Sequence, residues 1–257
     1  MRPLWTGAIG FGLVNIPVKL YSAIQSSNLD LDMLDKKDHA NIKFKRVNEQ
    51  TGKEVAWNSI VKGYMLNDKY VVLDDKDFEQ ANAKKSQIIE ITEFVNENEI
   101  DSILYEMPYY LGPQKSGEKA YSLLRAALEK SGKVGIAQFV LRNKEHLCAL
   151  KATDSLIMLV RLRFAEEIRP VDEVAPKATA LKPAELKMAI SLIDQLSDNF
   201  KADKYKDTYH EELMKVIKAK ARGVKPKTPQ IKIVNSKSKD LMAQLKASLE
   251  TKHKKAS

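Results

Sequence analysis

The stretch GIAQFVLRNKEHLCALKATDSLIMLVRLRF, residues 135–164, constrains the fold more than any other. Three apolar runs are separated by Asn143-Lys144 and Thr153-Asp154, residue pairs that suit tight turns, so the stretch predicts an antiparallel meander of three strands. In the last run Leu156, Met158, Val160, Leu162 and Phe164 share one face. Arg161 and Arg163 lie on the other face beside Ile157 and Leu159, and read as surface charges rather than a binding pair.

More strand-like segments precede the meander. Val14, Ile16, Val18 and Leu20 alternate with polar residues and with Pro17, which marks a sheet edge or a barrel rim. The preceding Gly7, Gly10 and Gly12 read as bends and close-approach points at the start of this strand. Their spacing, G-x-x-G-x-G, is wrong for a dinucleotide loop, and no helix follows. Strands are also expected at 41–47, 62–66, 70–73 and 87–95. Short helices are expected at 74–83, entered through Asp74 or Asp75, and at 99–105. A longer helix at 116–130 carries the stripe Ala120, Leu124, Ala127 and Leu128 and stops at Gly132. Many short strands with one interposed helix predict a mixed β/α fold, a barrel or sandwich carrying helices, rather than a doubly wound sheet.

Beyond Pro170 the texture changes. PVDEVAPKATALKP is a proline-rich connector, and Pro183 suits the first turn of a helix whose apolar stripe is Leu186, Ala189, Ile190, Ile193, Leu196 and Phe200. A second helix, about residues 207–222, bears Tyr209, Leu213, Val216 and Ile217 and stops at Gly223. Two such helices must cover something: the β-rich core, a second subunit or another protein. From Val224 on, nine lysines, among them Lys225, Lys227, Lys232, Lys237 and Lys239, face only Asp240 and Glu250, so this tail carries +7 of the chain's +9. A basic tail on a near-neutral body reads as a polyanion binder, for nucleic acid or an anionic membrane surface, unless it is merely solubilising. Within it Leu241, Leu245 and Leu249 have the spacing of a short helix. The expected organisation is a core over 1–180, a helical arm over 181–223 and a tail over 224–257.

The sequence offers little for catalysis. Gly112 and Gly117 have the spacing of a phosphate-binding loop, but Glu118 and Lys119-Ala120 follow where Lys and Ser or Thr are needed. The adjacent pairs Asp74-Asp75, Glu166-Glu167 and Glu211-Glu212 diverge on any regular element, so they read as solvated faces. Cys148, the single cysteine, sits among alternating apolar residues and reads as buried and inert. His39, His146, His210 and His253 are scattered, so neither a metal nor another cofactor is expected, and no catalytic residue. Arg2 precedes an apolar run as in a secretory leader, but the glycines, Asn15 and Pro17 favour a folded strand. A reducing cytoplasm fits one cysteine, and no membrane partner is expected.

The blocks GAIGFGLVNIPVKLYSA, IVKGYMLNDKYVVLDDKDFE, YYLGPQKSGEKAYSLLRAAL, GIAQFVLRNKEHLCAL and LIMLVRLRFAEEIR resemble, in order, successive blocks of the bacterial Ku family. LIDQLSDNFKADKYKDTYHEELMKVIKAKARG resembles its helical arm and C-terminal segment. The resemblance implies a central antiparallel β-barrel with a strand-built bridge that encircles DNA. It also implies a homodimeric ring that threads onto broken ends, has no catalytic activity of its own, and recruits and stimulates the bacterial end-joining ligase, ligase D. On this resemblance Lys43, Lys45, Arg46, Lys53 and Lys62 fall in the bridge and would contact phosphates without reading sequence, joined by the tail lysines. The alternative for each is an exposed amphipathic strand. Trp57 and Tyr64 are expected in core packing rather than stacked on bases. The ligase segment, about 203–223, includes Tyr205, Tyr209, Leu213 and Ile217, and the stripe Leu186, Ile190, Ile193 and Leu196 is expected to hold the dimer or pack the arm. A competing reading is a general architectural nucleic-acid-binding protein acting through its tail.

Overall fold

The N-terminus is a hairpin of two strands, Trp5–Phe11 (β1) and Val14–Ser22 (β2), in register Ile9↔Ile16. The glycines therefore do not merely precede one strand. Gly7 and Gly10 lie inside β1, and Gly12 makes the turn at φ +58°, a left-handed conformation that glycine adopts without steric cost. A Cβ on Gly7 would fall 2.4 Å from the carbonyl oxygen of Gln87, so the bare backbone lets that segment come alongside. The computed structural model describes residues 1–25, 28–82, 87–142, 144–171, 174–176 and 179–224.

After β2 come a two-stranded hairpin, Lys62–Leu66 (β3) and Lys69–Leu73 (β4), and a short helix, Asp75–Asn82 (α1). Asp74 caps that helix: its Oδ1 accepts from the Asp77 N–H at 3.1 Å, while Asp77 Oδ2 accepts from the Asp74 N–H at 2.9 Å. Ile88–Asn96 (β5), Tyr105–Pro113 (β6), Glu118–Ser131 (α2), Lys133–Leu141 (β7), Lys144–Ala152 (β8) and Ile157–Leu162 (β9) follow. The barrel is closed, in the order β1-β2-β6-β9-β8-β7-β5. Its neighbours are antiparallel except at the seam, where β1 and β5 run parallel through Ile9↔Ile89. The expected mixed fold with a central barrel is thus present, and the expected meander is β7-β8-β9. Pro17 sits at the rim: β6 pairs with β2 only from Val18 onward, and the Pro17 carbonyl accepts instead from the Gln114 N–H.

Alternation along each strand fills the interior with Ile9, Ile16, Val18, Leu20, Leu111, Phe139, Cys148, Leu150, Ile157 and Leu159, all fully buried. Each large apolar side chain removed from water contributes about 1.5–3 kcal/mol. Helix α2 adds Tyr121, Leu124 and Leu128 to the same core and ends at Gly132, φ +64°. Arg125 ties it to the β8–β9 turn by donating to the Thr153 carbonyl at 2.9 Å. Burial pushes the Cys148 thiol far up, and its Sγ–H donates to the Ala137 carbonyl, so it is no nucleophile at neutral pH.

Several local expectations fail. Residues 41–47 alternate like a strand but form only isolated bridges, Leu34↔Asn41 and Val47↔Glu54, because a strand needs a continuous neighbour to pair with. Residues 99–105 are not one helix: 3₁₀ turns at Glu97–Glu99 and Ser102–Leu104 flank Asp101, whose carboxylate accepts from the Ile103 N–H and fixes the second turn. Besides β1, the strand that the alternation did not reveal is β6. Pro108 lies at a register irregularity against β9, which accommodates a residue that cannot donate to the ladder.

The chain divides after Pro170, and the C-terminal unit begins at Val171. It contains Pro183–Leu196 (α3) and Thr208–Ala221 (α4), the latter capped by Asp207, whose side chain accepts from the His210 N–H at 3.0 Å. Phe200 lies beyond α3 and stacks on Tyr205 with ring centroids 5.6 Å apart, so it does not extend the helical stripe. The tail residues singled out above, Lys225, Lys227, Lys232, Lys237, Lys239 and the leucines at 241, 245 and 249, lie outside the described residues. Among the described residues no helix is long and apolar enough to cross a membrane.

Candidate nucleic-acid interface

Between β2 and α1 the chain makes an excursion, and its side chains from 31 to 72 are exposed apart from a half-buried Val55. Local hydrogen bonds shape it. Asn48 Oδ1 accepts from the N–H groups of Gln50 and Thr51, both at 3.0 Å, and Gly52 closes that turn with φ +65°. The Val55 N–H returns to the Arg46 carbonyl at 2.8 Å, so residues 46–55 form a minimal hairpin.

Lys43, Lys45, Arg46, Lys53 and Lys62 all stand on this excursion or at the start of β3. They are not equivalent. Lys45 is paired with Glu54 at 2.7 Å, Arg46 lies over the Trp57 ring at 4.3 Å, and Lys62 lies over the Phe78 ring at 4.4 Å. Lys43 and Lys53 have no ion-pair partner among the described residues. The expected core packing of Trp57 and Tyr64 is not found: they are 72% and 66% exposed, because among the described residues no layer covers β3 and β4. Leu31, Met33, Phe44, Val61 and Tyr70 are exposed as well. A two-stranded hairpin is marginally stable alone, and exposed apolar side chains gathered on one segment mark an interaction surface.

In the C-terminal unit Leu186, Ile190, Ile193 and Leu196 are each about half exposed. On and before α4, Tyr205 and Tyr209 are exposed, Ile217 is partly so, and Leu213 is half-buried. The spurious phosphate loop resolves into packing. Gly112 is a residue of β6, and a Cβ on Gly117 would fall 2.9 Å from the Pro17 ring.

The reading of Arg161 as a surface charge is corrected. β9 sends Ile157 and Leu159 into the barrel, and Arg161 continues that face to the barrel mouth with its side chain only 19% exposed. Its Nε donates to Glu106 Oε2 at 2.8 Å, and Nη2 donates to Oε1. This bidentate bond holds the Glu106 carboxyl below the usual carboxylate range and raises the guanidinium further, against the opposing effect of burial. Arg163 donates instead to the carbonyls of Ile103 and Tyr105, so it clamps the chain entering β6. Sequence alternation placed both arginines on one face; the barrel closure decided which face is interior.

Residues 10–188 match the family model described as the Ku70/Ku80 beta-barrel domain. A protein of Coxiella burnetii named Non-homologous end joining protein Ku is 38% identical over 98% of this chain and 96% of its own length. Proteins of the same name are 37% identical in Bacillus subtilis, over 97% of this chain and 82% of theirs, and 39% identical in Archaeoglobus fulgidus, over 97% and 99%.

Proposed function

Because this chain belongs to the Ku β-barrel family, we propose that it is a sequence-independent double-stranded DNA end-binding protein of non-homologous end joining, acting as a homodimeric ring without a catalytic step of its own. The observation that carries this reading is the excursion between β2 and α1. It brings Lys43, Lys45, Arg46, Lys53 and Lys62 to solvent beside apolar side chains that the other described residues leave uncovered. Cations distributed along an extended segment attract phosphates without reading bases, which suits a protein that must bind breaks of any sequence. A second copy is the natural cover for the exposed apolar residues, since pairing two excursions also closes a ring.

In the same proposal residues 1–180 are the barrel core with its bridge and 181–223 the arm. Residues 224–257 add phosphate contacts through Lys225, Lys227, Lys232, Lys237 and Lys239. The stripe Leu186, Ile190, Ile193 and Leu196 supports the dimer, and Tyr205, Tyr209, Leu213 and Ile217 receive the end-joining ligase. The site of action is the bacterial cytoplasm.

A closed ring can enter DNA only at an end, so topology gives the test. Protein loaded on linear duplex whose ends are then ligated shut should resist a high-salt wash, because screening weakens phosphate attraction but cannot open the ring. Cutting the circle should release it. Equal salt elution from ligated circles and open linear DNA, with the dimer intact, would overturn the ring in favour of a general architectural binder acting through its tail.

A further inference from the structure

The end of the barrel where β7 turns into β8 opens as a recess of about 280 Å³, lined by Arg142, Lys144, His146, Arg161 and Tyr109 with Leu141 among its apolar walls. Among the described residues no carboxylate lines it. Lys144 and His146 stand two residues apart on β8 and so share a face, while Arg161 opposes Cys148, the next residue of that face. Arg142 sits at the turn in the left-handed conformation, φ +53°. Phe139 backs His146 with ring centroids 5.8 Å apart.

Three features make this a built site rather than a scatter of charge. Arg161 is fixed, because Glu106 holds it by two hydrogen bonds. Lys144 is only loosely engaged, 3.4 Å from Glu167 with 65% of its side chain exposed, so its ammonium is available. His146 feels the cations: burial lowers its proton affinity first, and Arg161 and Lys144 lower it further, against weaker opposition from Glu106 and from a hydrogen bond to the Leu141 backbone. Glu106, Arg163 and Glu167 line the adjoining recess, which shares Lys144, His146 and Arg161.

We infer that this recess is an oxyanion subsite that takes a phosphate monoester dianion, with Arg142 and Lys144 as its mobile cations and Arg161 as its fixed one. A concave, partly dry site lined by one sign of charge concentrates counter-ions. Its size, just below the roughly 300 Å³ at which drug-sized ligand pockets begin, suits a single phosphate group with a small substituent. The guanidinium fork and the ammonium provide the charge-assisted donors that phosphate oxygens accept. The dianion has two sources of the same chemistry: a free small phosphate or the 5′-phosphate of a DNA end. Such a subsite would operate with or without ring formation, and without the excursion.

The test follows the His146 ring in full-length protein labelled at histidine, assigned with a His146→Asn variant, across pH in chloride and in inorganic phosphate or pyrophosphate at equal ionic strength. A bound dianion offsets the neighbouring cations, so the His146 midpoint should rise by about one unit, the lower end of what an opposite charge at hydrogen-bonding range produces. Arg142→Asn with Lys144→Gln should abolish the rise; both positions are exposed, and asparagine tolerates the left-handed backbone. Short duplexes with and without a 5′-phosphate form the second arm. A rise with free phosphate and no difference between the duplexes assigns the site to a small anion, and a rise only with the phosphorylated duplex assigns it to the DNA end. No rise with any probe, or an equal rise in the double variant, would overturn the subsite.

Discussion

The hydroxyl of Tyr121 donates to the carbonyl oxygen of Leu111 at 2.5 Å, and it also accepts from the N–H of Ile157 at 2.7 Å. Leu111 and Ile157 are opposite each other in the β6–β9 pairing and both are fully buried. One phenol from α2 thus satisfies the backbone where that ladder ends, and it fixes the helix to the barrel.

Tyr121→Phe removes the hydroxyl but not the ring, leaving a buried N–H without its partner. Stability should fall by about 1–3 kcal/mol, seen as a lower urea midpoint at unchanged slope. Burial also raises the phenol above its usual value near 10. The stability linked to the protonated phenol is therefore complete below about pH 10 and is lost as pH rises through the raised value; the variant should lack this alkaline component. A wild-type midpoint in the variant would show that the hydroxyl is dispensable.

Glu106 gives the acid counterpart. Its carboxyl is lowered by the Arg161 hydrogen bond first, so its contribution is present above the unfolded value of about 4.5 and fades as pH falls through the depressed one. Glu106→Gln should cost about 1 kcal/mol at neutral pH, since both partners keep some exposure to solvent. Its urea midpoint should converge on the wild type's as the medium is acidified below pH 4.5. Parallel curves for the two proteins would show that the pair contributes nothing linked to protons.

Lys43 and Lys53 should matter more for DNA than Lys45, which is already neutralised by Glu54. Replacing both with glutamine should weaken binding to linear duplex and flatten the log-log salt dependence by about 0.9 for each phosphate no longer neutralised. Lys45→Gln should have the smaller effect. Equal slopes for all variants, measured by anisotropy across salt, would move the DNA-binding surface off the excursion.

The two C-terminal helices should separate genetically. Ile190→Asp with Ile193→Asp places charge on the exposed α3 stripe and should weaken dimerisation in sedimentation at micromolar concentration. Tyr209→Ala with Leu213→Ala on α4 should reduce ligase stimulation more than DNA binding. A fully dimeric first variant and an undiminished second would each reassign its face.

Local pattern was enough for the elements that carry their own partners. The β7-β8-β9 meander, the helix stopped by Gly132 and the helix capped by Asp207 follow from alternation, turn residues and caps, all short-range effects that the sequence states directly. The basic excursion was also legible as charge. Its lack of regular strand at 41–47 was not, because alternation describes a strand only when a neighbour supplies the ladder. β6 was hidden by its two prolines, which are tolerated where the ladder is irregular or ends.

What the sequence by itself determined is which residues alternate, where the chain turns and where charge accumulates. What only the tertiary structure decided is which face of each strand became the interior. The parallel seam between β1 and β5 closes the barrel between stretches far apart in the chain, and that closure draws Ile157 and Leu159 inward, sets Arg161 at the mouth against Glu106, and gathers Arg142, Lys144 and His146 around one recess. A strand's period assigns residues to two faces but cannot name the buried one. That choice belongs to the non-local pairing, whose free energy depends on all the strands at once.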